Sequence, residues 1–190
     1  MRIIGGKLKN KKLHFPENLK TRPLKDSVRE NIFNILSHSN NVGFDIKNSE
    51  VLDLYAGTGS FGLECVSREA SKVVFVENDL DALTNLKKNI KNLSSQNETV
   101  LLTQDVLEFF NLLTLEIYKE KFNIIFLDPP YKEKNIILLL NDINEMKILR
   151  DKGIIVLHRH KKSVDNSDDK FKILRTESYG ISKVIFGKFN

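Results

Sequence analysis

Five short apolar runs, each but the last leading into a stretch of helical spacing, constrain this chain more than any other feature. Val51-Leu52-Asp53-Leu54-Tyr55 reads as a strand, and residues 60–68 as a helix after a glycine-rich turn. Val73-Val74-Phe75-Val76-Glu77 is an apolar run ending in an acid, and residues 79–92 set Leu80, Leu83, Leu86 and Ile90 on one helical side. Val100-Leu101-Leu102 precedes a helix over 106–115, and Asn123-Ile124-Ile125-Phe126-Leu127 precedes one over 135–149. Gly153-Ile154-Ile155-Val156-Leu157 is a fifth strand. Continuous apolar strands alternating with helices predict an α/β fold, a parallel sheet with helices on both faces. Two last runs, 171–176 and 183–189, have no helix between them and are expected to pair as an antiparallel edge hairpin. In open sheets of this kind ligands sit beyond the carboxyl ends of the strands.

The first 25 residues differ from this body and predict a separate basic arm, with the α/β domain over 26–190. Ile3-Ile4-Gly5-Gly6-Lys7-Leu8 predicts a short hairpin turning at Gly5-Gly6. Pro16 and Pro23 punctuate the arm, and a helix capped by Asp26 or Ser27 follows, with Val28, Ile32, Ile35 and Leu36 at apolar spacing. Residues 1–30 carry nine Lys and Arg against three acids, a local charge of +6, while the other 160 residues sum to −1. Clustered cations of this kind displace counterions from phosphates and suit a nucleic acid partner. Cys65 is the one cysteine, so no internal disulfide forms and a reducing compartment is expected. No window approaches ~18 uninterrupted apolar residues, and the N-terminus lacks the apolar core of a secretory leader, so a cytoplasmic location is expected.

Gly57, Gly59 and Gly62 fit the spacing G-x-G-x-x-G directly after the first strand. Glycines there permit φ > 0 and close approach of a ligand to the backbone. Glu77 follows about twenty residues on, as a ribose-binding acid does, and Asp105 after the third strand can accept from an adenine amine. A nicotinamide dinucleotide fits the glycines equally well. Asp53, four residues before the first glycine, argues against it, because a carboxylate repels a diphosphate and suits a cationic amino-acid tail.

The fourth strand ends in Asp128-Pro129-Pro130-Tyr131. Neither proline donates a ladder hydrogen bond, and both fix φ, so the strand stops in a stiff corner. Asp128 and the Pro129 carbonyl then offer two acceptors, and Tyr131 a flat face. That set suits a planar base bearing an NH₂ group. The lone pair of such an amine is delocalised into the ring. Two acceptors on its hydrogens can turn it toward an electrophile, which is catalysis by orientation and electrostatic complementarity.

The glycine turn, Glu77, Asp105 and the Asp-Pro-Pro-Tyr element resemble class I S-adenosylmethionine-dependent methyltransferases that act on amino groups of nucleic acid bases. Arg2-Ile3-Ile4-Gly5-Gly6, Thr21-Arg22-Pro23, Val28-Arg29-Glu30 with Phe33-Asn34-Ile35-Leu36, Glu64-Cys65-Val66-Ser67-Arg68 and Tyr179-Gly180 further resemble the bacterial RsmD family. That resemblance spans nearly the whole chain. It implies a Rossmann-like methyltransferase sheet and methylation of N2 of one guanine in 16S ribosomal RNA. The substrate is expected to be the rRNA or a small-subunit assembly intermediate, because the guanine must leave its stack, and the protein is expected to be a monomer. The resemblance implies that Gly57, Gly59 and Asp53 line the methionine part of S-adenosylmethionine, that Glu77 holds the ribose and Asp105 the adenine. By the same resemblance Asp128, Pro129 and Tyr131 grip and stack the guanine. Arg22 and Pro23 would lie near the active-site mouth, and Arg2, Lys7 and Arg29 would contact RNA phosphates.

The chain departs from that family at two places. Glu69 stands where a helix-ending glycine is usual, so a side chain must take the left-handed conformation. The fifth strand ends His158-Arg159-His160-Lys161-Lys162 instead of in an acid, which predicts added basic surface for RNA. Two other readings use the same residues: a DNA amino-methyltransferase, for which the arm leaves little room for target recognition, and a non-catalytic RNA-binding module.

Overall fold

The computed structural model describes residues 1–16, 24–114, 121–133, 135–163 and 170–190. Arg22 and Pro23 lie outside the described residues. The elements are α1 (Asp26–His38), β1 (Glu50–Leu54), α2 (Ser60–Ser67), β2 (Lys72–Val76), α3 (Leu80–Asn92), β3 (Thr99–Leu102), α4 (Val106–Thr114), β4 (Phe122–Leu127), α5 (Ile136–Glu145), β5 (Leu149–His160), β6 (Phe171–Tyr179) and β7 (Ser182–Phe189).

The strands form one sheet in the order β3-β2-β1-β4-β5-β7-β6. The first five run parallel, and β7 is antiparallel to both β5 and β6. The chain leaves β1 toward β2 on one side and returns to β4 on the other. A crevice therefore opens at the carboxyl ends of β1 and β4, the switch point where such sheets take ligands.

Strict alternation sorts each strand between two cores. Val51, Phe75, Ile124, Phe126, Ile154 and Val156 pack under α1, α2 and α3, while Leu52, Val76, Ile125, Leu127 and Leu157 pack under α4 and α5. On the first face the rings of Phe33, Phe61 and Phe126 stack, with centroids 5.1 and 4.0 Å apart. Phe126 is thereby held two residues before Asp128.

Two boundaries differ from the periodicity. The helix expected over 135–149 ends at Glu145, because Lys147 turns left-handed at φ 52° and Leu149 already pairs with Phe122. β5 consequently starts early, at Leu149, and is 12 residues long. Its register slips between Phe122 and Ile124, which absorbs the extra length.

The first 16 residues do not form a tight two-residue hairpin. Among the described residues their only strand-like contact is a single antiparallel bridge between Arg2 and Lys12, closed over a wide turn. Ile3 and Leu13 enter the same core as Phe61. Gly5 and Gly6 serve this docking. A Cβ on Gly6, at φ 72°, would lie 1.9 Å from the Ser67 carbonyl oxygen. Ser67 receives Lys7 N–H on that carbonyl at 2.7 Å and Leu8 N–H on its Oγ at 2.9 Å.

Glu69 does take the left-handed conformation, at φ 68°, immediately after α2. Its carbonyl accepts from Asn48 N–H, which holds it there. Glu69→Gly removes a steric cost of about 1–2 kcal/mol. It forfeits an exposed Lys47 pair, which is worth little, and gives the unfolded chain a glycine's extra freedom, about 0.4–1 kcal/mol. The expected net result is a melting temperature higher by about 1–4 °C. A melt at or below the wild-type temperature would count against strain at this position.

Candidate active site

Asp53 faces α2 from the middle of β1. It is 1% exposed, and its Oδ2 accepts the Gly62 N–H at 2.9 Å. Its other oxygen is buried and meets no hydrogen-bond donor among the described residues. Burial pushes the Asp53 carboxyl well above its ordinary range, and the nearby charges of Asp128 and Glu77 push it the same way. Three acids converging on one crevice make a place for a cation, not for a diphosphate.

The glycines divide into two kinds. A Cβ on Gly57, at φ 56°, would enter open space, so the backbone lies bare on the crevice side. A Cβ on Gly59 would strike Leu86 at 2.3 Å, and one on Gly62 would strike Phe75 at 2.3 Å. Those two glycines let α2 approach α3 and the sheet. Of the pair expected to line the methionine, Gly57 borders open space and Gly59 faces Leu86. Tyr55, ahead of the turn, is left-handed at φ 59°, a strained non-glycine residue of the kind that gathers at functional sites.

Glu77 follows β2. Its Oε2 accepts Gly57 N–H at 2.6 Å, and its Oε1 accepts the N–H groups of Asn78 and Asp79 at 2.9 and 2.8 Å. The carboxylate thus braces the glycine turn while retaining acceptor capacity for a ribose hydroxyl. Asp105 caps α4 through Leu107 N–H at 2.8 Å, and its other oxygen accepts from Asn78 at 3.0 Å. Asn89 of α3, 0% exposed, was not legible as a site residue. It donates to the carbonyls of Thr58 and His14, both at 3.0 Å, and so joins the glycine turn to the N-terminal segment.

At the end of β4, Asp128 N–H reaches the Leu54 carbonyl at 3.3 Å, which sets the corner against β1. Pro129 is buried, Tyr131 half-buried, and Glu133 N–H closes the turn on the Pro130 carbonyl at 2.8 Å. Asp128 Oδ1 lies 2.8 Å from Nδ1 of His158. Arg159 Nη2 donates to the Glu133 carbonyl at 2.9 Å, and the His160 ring stands 5.2 Å from the Tyr131 ring. The basic surface expected over 158–162 is therefore corrected at its first two residues. His158 and Arg159 are 7% and 5% exposed and face the Asp128–Glu133 turn, leaving Lys161 and Lys162 exposed.

The cationic expectations also divide. Arg2 and Lys7 are exposed, Lys7 lying 3.7 Å from Glu98. Arg29 is 0% exposed and cannot touch a phosphate where it stands, which corrects its expected place in RNA binding. It donates to the Arg2 carbonyl and to Asp26 (3.0 Å), with Glu64 at 3.9 Å from its Nε. Its charge answers Glu64, a partner 35 residues away. Among the described residues no cluster of three His, Cys, Asp or Glu is arranged to hold a metal ion, and no helix is long and apolar enough to cross a membrane.

A sheet with its switch point at β1 and β4, a bared glycine turn, an acid after each of β2 and β3, and a proline-locked acceptor corner define a class I S-adenosylmethionine-dependent methyltransferase. The orphaned Asp53 oxygen and the surrounding negative charge fit that cofactor's ammonium and sulfonium. Residues 1–188 match the model of the family described as Conserved hypothetical protein 95, the RsmD family, and the chain belongs to it. The small subunit ribosomal RNA methyltransferase D of Haemophilus influenzae is 31% identical over 95% of this chain and 90% of that protein. The protein of that name from Escherichia coli K12 is 32% identical over 82% of this chain and 72% of its own length. Among solved structures, yhhF of Escherichia coli superposes with a TM-score of 0.82 at 26% identity, covering 100% of this chain and 97% of that one.

Asp53→Asn separates binding from stability. Because the folded state raises the Asp53 pKa above its ordinary 3.8, the unfolded chain ionises first as pH rises, and stability is lost from there upward. The amide keeps an acceptor for Gly62 and does not ionise. The variant should therefore melt higher than wild type at pH 7, and the gap should close below about pH 4. The same change removes the carboxylate expected to pair with the ammonium and should weaken S-adenosylmethionine binding about 10- to 100-fold. Melts across pH and calorimetry measure both. A neutral-pH melting temperature below wild type would contradict the first expectation.

Proposed function

We propose that this protein methylates the exocyclic N2 amine of a specific guanine in 16S ribosomal RNA, acting as a monomer on the rRNA or on a small-subunit assembly intermediate. The observation that carries the reading is the placement of Asp128 and Pro129 at the end of β4, beside the Asp53 and Gly57 crevice at the end of β1.

Bound S-adenosylmethionine supplies a methyl group made electrophilic by its sulfonium. Asp53, Gly57, Glu77 and Asp105 are the residues that would hold it. Asp128 and the Pro129 carbonyl accept the two amine hydrogens, directing the nitrogen lone pair into the crevice. The Asp128 carboxylate also favours the positive charge that develops on nitrogen. Tyr131 offers the base a ring to stack on, so the guanine must leave any helix to reach it. Exposed Arg2, Lys7, Lys9, Lys11 and Lys12 supply the phosphate contacts, with Arg22 as a further candidate.

Purified protein, labelled cofactor and immature small-subunit particles test the reading. The expected label is N2-methylguanine at one nucleotide of 16S rRNA, found by base-resolved mapping. Label in DNA adenine, or none in rRNA, overturns it.

A further inference from the structure

β5 outruns β4 by three residues, and the reaction just described uses none of them. The overhang exists because the two strands end for different reasons. Pro129 and Pro130 stop the β4 ladder after Leu127, whereas β5 is held on its other edge by β7, from His158 opposite Val184 to His160 opposite Ser182. Leu127 and Leu157 are partners across the ladder, so Asp128 and His158 are the next residues on neighbouring strands. By alternation both fall on the face that carries Asp53.

We infer that His158 is the positioning residue for Asp128: its Nδ1–H holds Oδ1 and presents the remaining carboxylate oxygen to the target amine. The inference rests on the amine-directed reading above. The contact is 2.8 Å long, and the imidazole is 7% exposed. Nε2 is buried and has no hydrogen-bond partner among the described residues. That orphan decides the tautomer. A proton on Nε2 would bury an unpaired donor and aim the Nδ1 lone pair at a carboxylate oxygen. A proton on Nδ1 satisfies the carboxylate and leaves only a lone pair unmatched. Asp128 is then the acceptor of that bond, the role that two amine hydrogens also require of it.

The backbone supports the geometry. A carboxylate on a bare strand end can swing about two side-chain torsions. Here one oxygen is tethered to a ring whose own backbone is paired in a sheet. Arg159 tethers the Glu133 carbonyl, and His160 lies against Tyr131. Three consecutive residues of β5 therefore each grip a different part of the base-binding turn. The antiparallel hairpin at the sheet edge is what keeps them in register with it.

Two measurements on the full-length protein decide the matter. The first compares His158→Ala, His158→Phe and His158→Asn in the rRNA assay. Phe keeps an aromatic ring but no donor, whereas Asn keeps an N–H donor near the Nδ1 position without the ring. Ala and Phe should lose about 10- to 100-fold in kcat, with KM for the particle and cofactor binding near wild type. Asn should recover most of the loss. Phe matching wild type, or Asn doing no better than Phe, overturns the inference. The second is nitrogen-15 NMR of the His158 ring in the wild type, which needs no substrate. The Nδ1–H tautomer is expected, and it should be lost in Asp128→Ala. An Nε2–H tautomer in the wild type overturns the inference. If the wild type labels no rRNA, the functional reading fails, and the NMR result alone decides whether the pair exists as described.

Discussion

Asp128→Ala is expected to lose at least about 10²- to 10³-fold in kcat, the scale seen when one preorganised polar group is removed from a charge-developing centre. S-adenosylmethionine should still bind, because Asp53, Gly57 and Glu77 are untouched. The alanine has a structural side effect. It strips the acceptor from His158 Nδ1, a buried donor, at about 1–3 kcal/mol. Asp128→Asn removes that ambiguity. Its amide oxygen can still accept from His158, so the fold and the melting temperature should be kept. The other end of the amide is an NH₂ group, which sets a donor against the donor hydrogens of guanine. Turnover should therefore fall nearly as far in the stable variant as in the alanine. Calorimetry with the cofactor and single-turnover rates on the particle measure the two effects separately. Retention of more than about a tenth of wild-type kcat in Asp128→Asn would remove Asp128 from the chemistry.

The parts of this site that were legible in the sequence are those whose cause is local. A run such as Val73–Val76 reads as a buried strand because its neighbours are apolar, and Glu77 follows because the strand must end at its carboxyl edge. Asp128-Pro129-Pro130 reads as a strand stop because proline lacks the donor. What was hidden depends on partners far along the chain. Arg29 has the look of an RNA-binding cation in a basic segment, and Glu64 on another helix, with Asp26 and the Arg2 carbonyl, explains its burial. Gly5 and Gly6 resemble a hairpin turn, and their use emerges only when Ser67 is brought against them. His158, Arg159 and His160 read as surface charge, yet the β4 corner 30 residues upstream takes the first of them inward. The two charged misreadings assigned an interior partner to the solvent or to RNA, because charge sign along a sequence carries no information about depth.

Glu64→Ala should be strongly destabilising. Glu64 is fully buried, and its carboxylate accepts Ile4 N–H at 2.8 Å, Gly5 N–H at 2.7 Å and Arg68 Nε at 3.0 Å. The Arg29 guanidinium, itself 0% exposed, lies 3.9 Å away. Removing the carboxylate leaves a buried cation without its main counter-charge and two backbone donors without an acceptor. Breaking one side of a buried pair costs about 3–5 kcal/mol. For a chain of this size that corresponds to a melting temperature lower by roughly 6–20 °C. The damage should begin in one place. Residues 1–8 are pinned to α2 through Glu64 and Ser67, so hydrogen exchange should quicken first at Ile4, Gly5 and Lys7. Arg2 and Lys7 ride on that segment, so KM for the RNA particle should rise at temperatures where the rest of the protein is still folded. Cofactor binding, which draws on β1 and β2, should persist there. Glu64→Gln should fall between the two, since one oxygen remains to accept while the NH₂ opposes a backbone donor. A Glu64→Ala protein melting within about 1 °C of wild type would mean that residues 1–8 are not held by this carboxylate. The N-terminal cations would then be free to find RNA without it.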